Sequence, residues 1–422
     1  MRSPEELDAR YAHLTAVFAG HLPASRAALD EWHAQLALEL VGASASEDRI
    51  LSVSALAALI KRDGIVRMHV EQMLDQALHI RHEPGEPVLA SDVPELLAVL
   101  DHIVKLAPPF APPPSGPHAF PMSNLFVYMM MTPAGEAAFR LPAFNDALRA
   151  ITAEWCQYLD SPDSANVLNE GPAGWLSEAG YKYCALDQFV IPDRAKPHWG
   201  WGSYNAFFHR EVKASERPIA DPGDPKVIVS ANDGTLYAIA RGVKATDSFW
   251  LKGQPYSLVN ILNADEERVR QFAGGDVFQS FLSGSNYHRW HAPIDGIVRS
   301  AELVEGLMFS DLEAAGYDID AGVKSLGYEA SVNTRGLVYV ESPDPKIGTV
   351  CVIPIGITEI SSITFSVKAG DEVTKGQELG RFSYGGSTLA VLFQPGAVSR
   401  FTAGTPEKRP AIKVNAQIAI AN

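Results

Sequence analysis

The sequence is short of cysteine, of positive charge and of long apolar runs. Its three cysteines, Cys156, Cys184 and Cys351, include no close pair. That excludes a disulfide framework and points to a reducing compartment, where a buried apolar role is the ordinary use of such residues. Lysine and arginine number 35 against 50 aspartates and glutamates, a net charge of -15 with histidine neutral. Nucleic-acid binding and docking on anionic lipid both need basic surface, so this balance argues against both, and the surplus acid serves solubility. The most apolar stretches, 126–131 and 350–357, fall well short of the roughly 20 residues that cross a bilayer. The opening Met1-Arg2-Ser3-Pro4-Glu5-Glu6 is acidic and does not read as a signal peptide. These absences together predict a cytoplasmic protein with no nucleic-acid or membrane partner.

What the chain does hold is ample apolar residue. With 422 residues and 46% hydrophobic content, two or three domains with cores of their own are expected. The first 160 residues read as helical. Ser3 and Glu6 form a capping box with Pro4 at the first helical position. Leu7, Tyr11, Leu14, Val17 and Phe18 then recur at helical spacing, and similar patterns fill 25–42, 47–80 and 92–106, with Gly64 a candidate break. A proline-rich connector follows at 108–114, and 122–160 returns to helical spacing through Phe139, Phe144, Leu148, Ile151, Trp155 and Leu159. Met129-Met130-Met131 has a buried helix face as its commoner reading and a membrane-facing surface as the other.

Residues 161–200, rich in Gly, Pro, Asp and aromatics, read as a linker. From 201 onward short β-branched runs alternate with Gly and Pro turns at 226–229, 234–240, 296–299, 337–340, 349–355, 361–367, 388–393 and 412–420, with one helix expected near 264–273. The fold class predicted is α+β: a helical domain over 1–160, then a mostly β catalytic domain over 201–422. The stretch from Val367 to Gly380 pairs two Gly-containing turns with short strands. It resembles the barrel-sandwich hairpin of lipoyl and biotinyl carriers. Lys375 lies beside a Gly turn rather than at a hairpin tip, so the scaffold reading is preferred over a carrier.

Three groups carry candidate chemistry. In Gly385-Gly386-Ser387-Thr388 the glycines tolerate backbone angles closed to other residues and leave the Gly386 carbonyl open to the neighbouring hydroxyl. The ordinary reading of such a run is a turn. No Gly stands two residues after Ser387, so the nucleophile-elbow pattern is not met. A serine hydroxyl needs a base. Tyr287-His288-Arg289-Trp290-His291 offers two histidines, which are otherwise a metal pair or structural histidines. Asn232-Asp233-Gly234 offers a carboxylate in what is otherwise an ordinary turn.

Together with flanking runs these groups resemble the phosphatidylserine decarboxylase family. The likeness is carried, in order, by Tyr204 to Lys213, Glu216-Arg217-Pro218-Ile219, Asn232-Asp233-Gly234, Lys252 to Leu258, Tyr287 to Pro293, Val332-Asn333-Thr334-Arg335, and Lys375-Gly376 through Thr388. It spans about 199 to the C-terminus. Ala231-Asn232-Asp233-Gly234 stands where the family has Pro-x-Asp-Gly, and Thr334 stands where it has Glu. Thr132-Pro133-Ala134-Gly135, Phe139, Pro142 to Asn145 and Trp155 resemble the helical domain preceding a soluble branch that includes fungal L-tryptophan decarboxylases.

The resemblance implies a zymogen that cleaves itself between Gly386 and Ser387. His291 is then the general base, Asp233 its orienter and Ser387 the nucleophile. Residue 387 becomes a covalent pyruvoyl group, which replaces pyridoxal phosphate and needs no metal. Its ketone condenses with the substrate amine and accepts electrons as carbon dioxide leaves. His288 is implied as a substrate-carboxylate contact or proton donor, and the fragments 1–386 and 387–422 are expected to stay associated. Three functions follow in order: decarboxylation of a free aromatic amino acid such as tryptophan, decarboxylation of phosphatidylserine, and a binding domain without catalysis.

Overall fold

The computed structural model describes residues 25–40, 49–81, 90–111, 120–130, 132–247, 256–282, 284, 286–310, 321–359, 362–384 and 386–422, with positions 5 and 9. The chain divides into two compact units. One holds Met1–Cys184, Ile191–Phe207 and Leu307–Ser325; the other holds Ala185–Val190, Phe208–Gly306 and Leu326–Asn422. The stretch read as a linker carries short helices, and its residues are shared between the two.

The first unit is helical. Its helices are α1 (Arg26–Glu39), α2 (Leu51–Arg62), α3 (Gly64–Arg81), α4 (Val93–Ile103), α5 (Pro121–Met130), α6 (Pro133–Arg140) and α7 (Pro142–Asp160). Local chemistry sets their starts. The Asp92 side chain accepts the Glu95 N–H at 2.9 Å, while Glu95 reaches back to the Ser91 N–H at 2.8 Å, so two otherwise orphaned donors are satisfied. The break expected at Gly64 falls one residue earlier. Asp63 ends α2 and caps α3 through the N–H groups of Ile65 and Val66. The capping box at Ser3 lies outside the described residues.

Helix α7 buries Phe144, Leu148, Ile151, Trp155 and Leu159 on one stripe, as the spacing predicts. Helix α5 is buried on every side, Met129 and Met130 included, so this apolar run is core. The proline connector is pinned where it is described. The Leu106 carbonyl accepts Trp155 Nε1 at 2.9 Å, the Pro108 carbonyl accepts Trp175 Nε1 at 2.7 Å, and Phe110 N–H donates to Ala173 at 3.0 Å. Gly135 permits one close approach: a Cβ there would lie 1.9 Å from the Met129 carbonyl oxygen.

The second unit is antiparallel β. Its strands are β1 (Val227–Val229), β2 (Gly234–Arg241), β3 (Asp276–Leu282), β4 (Arg289–His291), β5 (Gly296–Val304), β6 (Arg335–Glu341), β7 (Thr349–Ile357), β8 (Ile363–Phe365), β9 (Glu372–Val373), β10 (Glu378–Phe382), β11 (Gly386–Phe393), β12 (Val398–Phe401), β13 (Ala411–Ile412) and β14 (Gln417–Ala421). Eight form one sheet in the order β13-β2-β3-β11-β7-β6-β5-β9; β1-β14-β12 and β4-β10-β8 form two smaller sheets.

One face of the large sheet presents Leu337, Tyr339, Cys351, Ile353, Ile355, Ala390 and Leu392. Leu258, Ile261, Val269 and Phe272, from two short helices, belong to the same cluster. Each fully buried aliphatic here contributes about 1.5–3 kcal/mol. Arg335 ties the first of those helices down through the carbonyls of Ile261 and Asn260, and burial pulls its guanidinium down to about 10. The run read as one strand over 412–420 is two, β13 and β14, separated by a turn with Asn415 at φ 70°.

Candidate active site at the head of strand β11

Strand β11 lies between β3 and β7, so the chain entering it meets a neighbour on each side. Ser387 pairs with Leu282 across one edge and with Gly356 across the other. It is fully buried, and among the described residues its Oγ has no hydrogen-bond partner. A buried hydroxyl left unpaired costs about 1–3 kcal/mol, so such a group calls for a functional reason. Gly386, in a run whose ordinary reading is a turn, is the first residue of regular strand; Gly385 lies outside the described residues.

His291 ends β4. Its main-chain N–H donates to Ala231 at 2.7 Å. Ring atom Nδ1 lies 2.7 Å from the Gly376 carbonyl and Nε2 lies 2.8 Å from the Tyr287 hydroxyl. A carbonyl only accepts, so Nδ1 carries the proton and Nε2 is the lone-pair nitrogen, to which Tyr287 donates. Gly376 is at φ 83°, and a Cβ there would lie 2.6 Å from Ile219, so the turn that aims this carbonyl needs glycine. Burial pushes the imidazole below the usual histidine range, opposed by the Gly376 bond and by the charges of Glu378 and Asp233. Burial likewise holds the Tyr287 phenol above its ordinary value, so it stays protonated.

Asp233 lies just before β2 and is not bonded to the His291 ring. Arg217 grips its carboxylate through Nε at 2.8 Å and Nη2 at 2.6 Å, and the Val414 N–H donates to Oδ1 at 2.8 Å. Both charged side chains are about nine-tenths or more buried. The Gly376 carbonyl, not the Asp233 carboxylate, meets Nδ1 of His291, and the negative charge of Asp233 favours the protonated imidazole.

His288, fully buried, stacks on Phe208 with ring centres 4.0 Å apart, and Tyr384 meets Phe208 edge-on. Lys375 is structural. Its Nζ donates to the carbonyls of Asp221, Asp224 and Val227, and its side chain is buried rather than displayed on a hairpin tip.

Below Ser387, Thr388 faces the opposite side of the sheet. Its Oγ1 donates to the Ser280 carbonyl at 2.8 Å and accepts from Gln279 at 3.1 Å, while Gln279 accepts from Tyr256. Sequence reasoning gave no role to Arg217, Tyr287, Gly376 or Gln279. Arg217, Tyr287 and Gly376 lay inside family-like runs, the one available signal. Among the described residues no group of three His, Cys, Asp or Glu side chains is arranged to hold a metal, and no helix is long and apolar enough to cross a membrane.

Comparison with known proteins agrees with this layout. The phosphatidylserine decarboxylase profile matches residues 204–419, just over half the chain, and a second profile described as phosphatidylserine decarboxylase matches 51–184. The chain belongs to the phosphatidylserine decarboxylase family. Members are pyruvoyl-dependent carboxy-lyases that process their own chain. The decarboxylase iboD of Amanita muscaria is 39% identical over 68% of this chain and 87% of its own length. The L-tryptophan decarboxylase of Psilocybe cubensis is 28% identical over 95% of this chain and 93% of its own. Phosphatidylserine decarboxylase proenzyme 3 of Schizosaccharomyces pombe is 31% identical over 48% of this chain and 20% of its own.

Proposed function

We propose that this family member decarboxylates a free aromatic L-amino acid, with L-tryptophan the first candidate, to give the amine and carbon dioxide. The observation that carries the reading is coverage. The tryptophan decarboxylase of Psilocybe cubensis aligns along 95% of the chain, through both units, whereas the phosphatidylserine decarboxylase proenzymes of Schizosaccharomyces pombe and Chlamydia trachomatis align along 48% and 65%. The negative net charge of -15 supports the same side, because a lipid-acting enzyme gains from basic surface.

In this reading self-cleavage comes first. Ser387 is the nucleophile and attacks the carbonyl of Gly386. His291, neutral at Nε2, is the base that takes the serine proton, and Tyr287 must yield that lone pair for it to do so. Asp233 favours the imidazolium that results, through its charge, while Arg217 holds the carboxylate in place. The pyruvoyl group formed at 387 supplies a ketone that takes up the substrate amine and withdraws electrons from the carboxylate-bearing carbon. His288, held flat by Phe208, contacts the substrate carboxylate or returns the proton. The fragments 1–386 and 387–422 stay associated, since β11 is hydrogen-bonded between β3 and β7. Neither pyridoxal phosphate nor a metal takes part, and the enzyme works in the cytoplasm on a soluble substrate.

The test is direct. Purified protein is incubated separately with L-tryptophan, L-tyrosine, L-phenylalanine and phosphatidylserine vesicles, and carbon dioxide is measured. Release from an aromatic amino acid and none from vesicles supports the reading. Release from vesicles alone overturns it in favour of a phosphatidylserine decarboxylase.

A further inference from the structure

Strand pairing at the scissile bond settles where the Gly386 carbonyl points. The Gly356 N–H donates to the Thr334 carbonyl at 2.8 Å, and the Gly356 carbonyl accepts Nδ2 of Asn333 at 3.0 Å. Both main-chain groups of Gly356 therefore point away from β11. In an antiparallel ladder a residue turned away sits in a non-hydrogen-bonded pair, and the pairs on either side of it exchange both bonds. The register runs without a shift from Gly386 opposite Ile357 to Phe393 opposite Val350, with Ser387 opposite Gly356. Gly386 and Ile357 are thus a bonded pair, and the Ile357 N–H donates to the Gly386 carbonyl, the carbonyl Ser387 attacks.

We infer that the Ile357 N–H is the oxyanion donor of self-cleavage and that Asn333 is its positioning residue, acting through the one peptide group between them. That peptide joins Gly356 to Ile357. Asn333 donates to its oxygen, and its hydrogen faces Gly386. Donation into the carbonyl end strengthens the N–H as a donor, because hydrogen bonds in a chain polarise one another, by about 10–30% per bond. The amide cannot be turned over, since the Gly356 carbonyl only accepts and must face Nδ2. Among the described residues the other end of the amide, Oδ1, has no partner, although Asn333 is only 1% exposed. A buried acceptor left unpaired costs about 1–3 kcal/mol, a cost that an apolar residue here would avoid. The amide is retained for what Nδ2 does.

The inference rests on the self-cleavage reading. In the step concerned, Ser387 Oγ gives its proton to the base and bonds to the Gly386 carbonyl carbon. The π pair moves onto the carbonyl oxygen, where the Ile357 N–H meets it. Collapse breaks the bond from that carbon to the Ser387 nitrogen, which takes up the proton, and leaves an ester between Gly386 and Ser387 Oγ.

The test uses Asn333→Leu, which keeps the volume and removes the donor. The appearance of fragment 387–422 should slow by about tenfold or more; the loss of a direct oxyanion donor typically costs about a hundredfold or more. Added hydroxylamine, which cuts the ester, should not restore the rate, because ester formation is the slowed step. The midpoint of the pH–rate curve should stay where it is, because the base is untouched. In the uncleaved Ser387→Ala protein labelled with nitrogen-15 isoleucine, adding Asn333→Leu should move the Ile357 amide proton upfield. Cleavage at the wild-type rate, full rescue by hydroxylamine, or an unmoved Ile357 amide would each overturn the inference. If Asn333→Leu fails to fold, Asn333→Asp replaces the donor by an acceptor of the same shape and should slow cleavage at least as much. A wild-type chain that is never cleaved contradicts the self-cleavage reading instead, and the Ile357 shift still tests the bond chain.

Discussion

The helical unit and the β unit both bury polar groups, and the two sets are held by different partners. In α7 the buried stripe follows apolar spacing, and the helix starts at Asp63 and Asp92 are set by capping side chains. In the β unit Gln279 and Ser280 of β3 and Ser387 and Thr388 of β11 are buried within the large sheet, and Arg217, Asp233, His288 and Asn333 are buried in the segments beside its strands. The helices are held by the hydrophobic effect. The head of β11 is held by hydrogen bonds whose partners lie on other strands, so its polar groups depend on one another. A substitution in the first unit should therefore cost stability, and one in the second should cost chemistry as well.

The largest expected effect tests the second half of that statement. Ser387→Ala should give a single chain that never cleaves and releases no carbon dioxide, read by gel and by gas evolution, with a melting temperature near that of the parent. Next comes His291→Ala, which should slow cleavage by about a hundredfold or more, the contribution of a positioned base. Tyr287→Phe separates the partners of that ring. With the donor to Nε2 removed, the base is free without first breaking a bond, so cleavage should keep pace with or exceed the wild-type rate. A loss as deep as that of His291→Ala would instead make Tyr287 part of the proton path.

Arg217→Ala breaks a buried ion pair and leaves Asp233 uncompensated, a loss of about 3–5 kcal/mol. Its measure is denaturant unfolding of the Ser387→Ala background, with slower processing alongside. Trp155→Ala, in the helical unit, should lower stability by about 3–5 kcal/mol and leave the pH dependence of processing unchanged. If it instead shifts that dependence, the division between the two regions fails.

The pH profile gives a smaller but more specific test. The base must be neutral to accept a proton, and burial holds His291 below the usual histidine range. Processing should therefore be at full rate near neutral pH and fall as the pH drops below about 6.5, the ordinary histidine value. A profile that is still rising well above neutral pH would point to a different base.

The helical unit was legible because period and burial coincide: the stripe from Phe144 to Leu159 reads the same in sequence and in structure. The β unit was legible where strands are β-branched, as in β2, β6, β7 and β11. Strand β3, the direct neighbour of β11, was not. Its Gln279 and Ser280 interrupt the apolar run, and their burial is explained only by partners distant in sequence, Thr388, Tyr256 and Asn232. The same reason hid Arg217 and Gly376. Their roles depend on Asp233 and His291, which are distant in sequence, and no local pattern records that the Gly376 carbonyl rather than the Asp233 carboxylate meets the His291 ring.

The central claim is that Ser387 is consumed by the chain that carries it, and intact-mass measurement of freshly purified protein tests it most directly. The account predicts two chains, 1–386 and 387–422, the second beginning with a pyruvoyl group in place of serine and reacting with a carbonyl reagent. A single chain of full mass, with residue 387 still serine and amino acid decarboxylation intact, would contradict it.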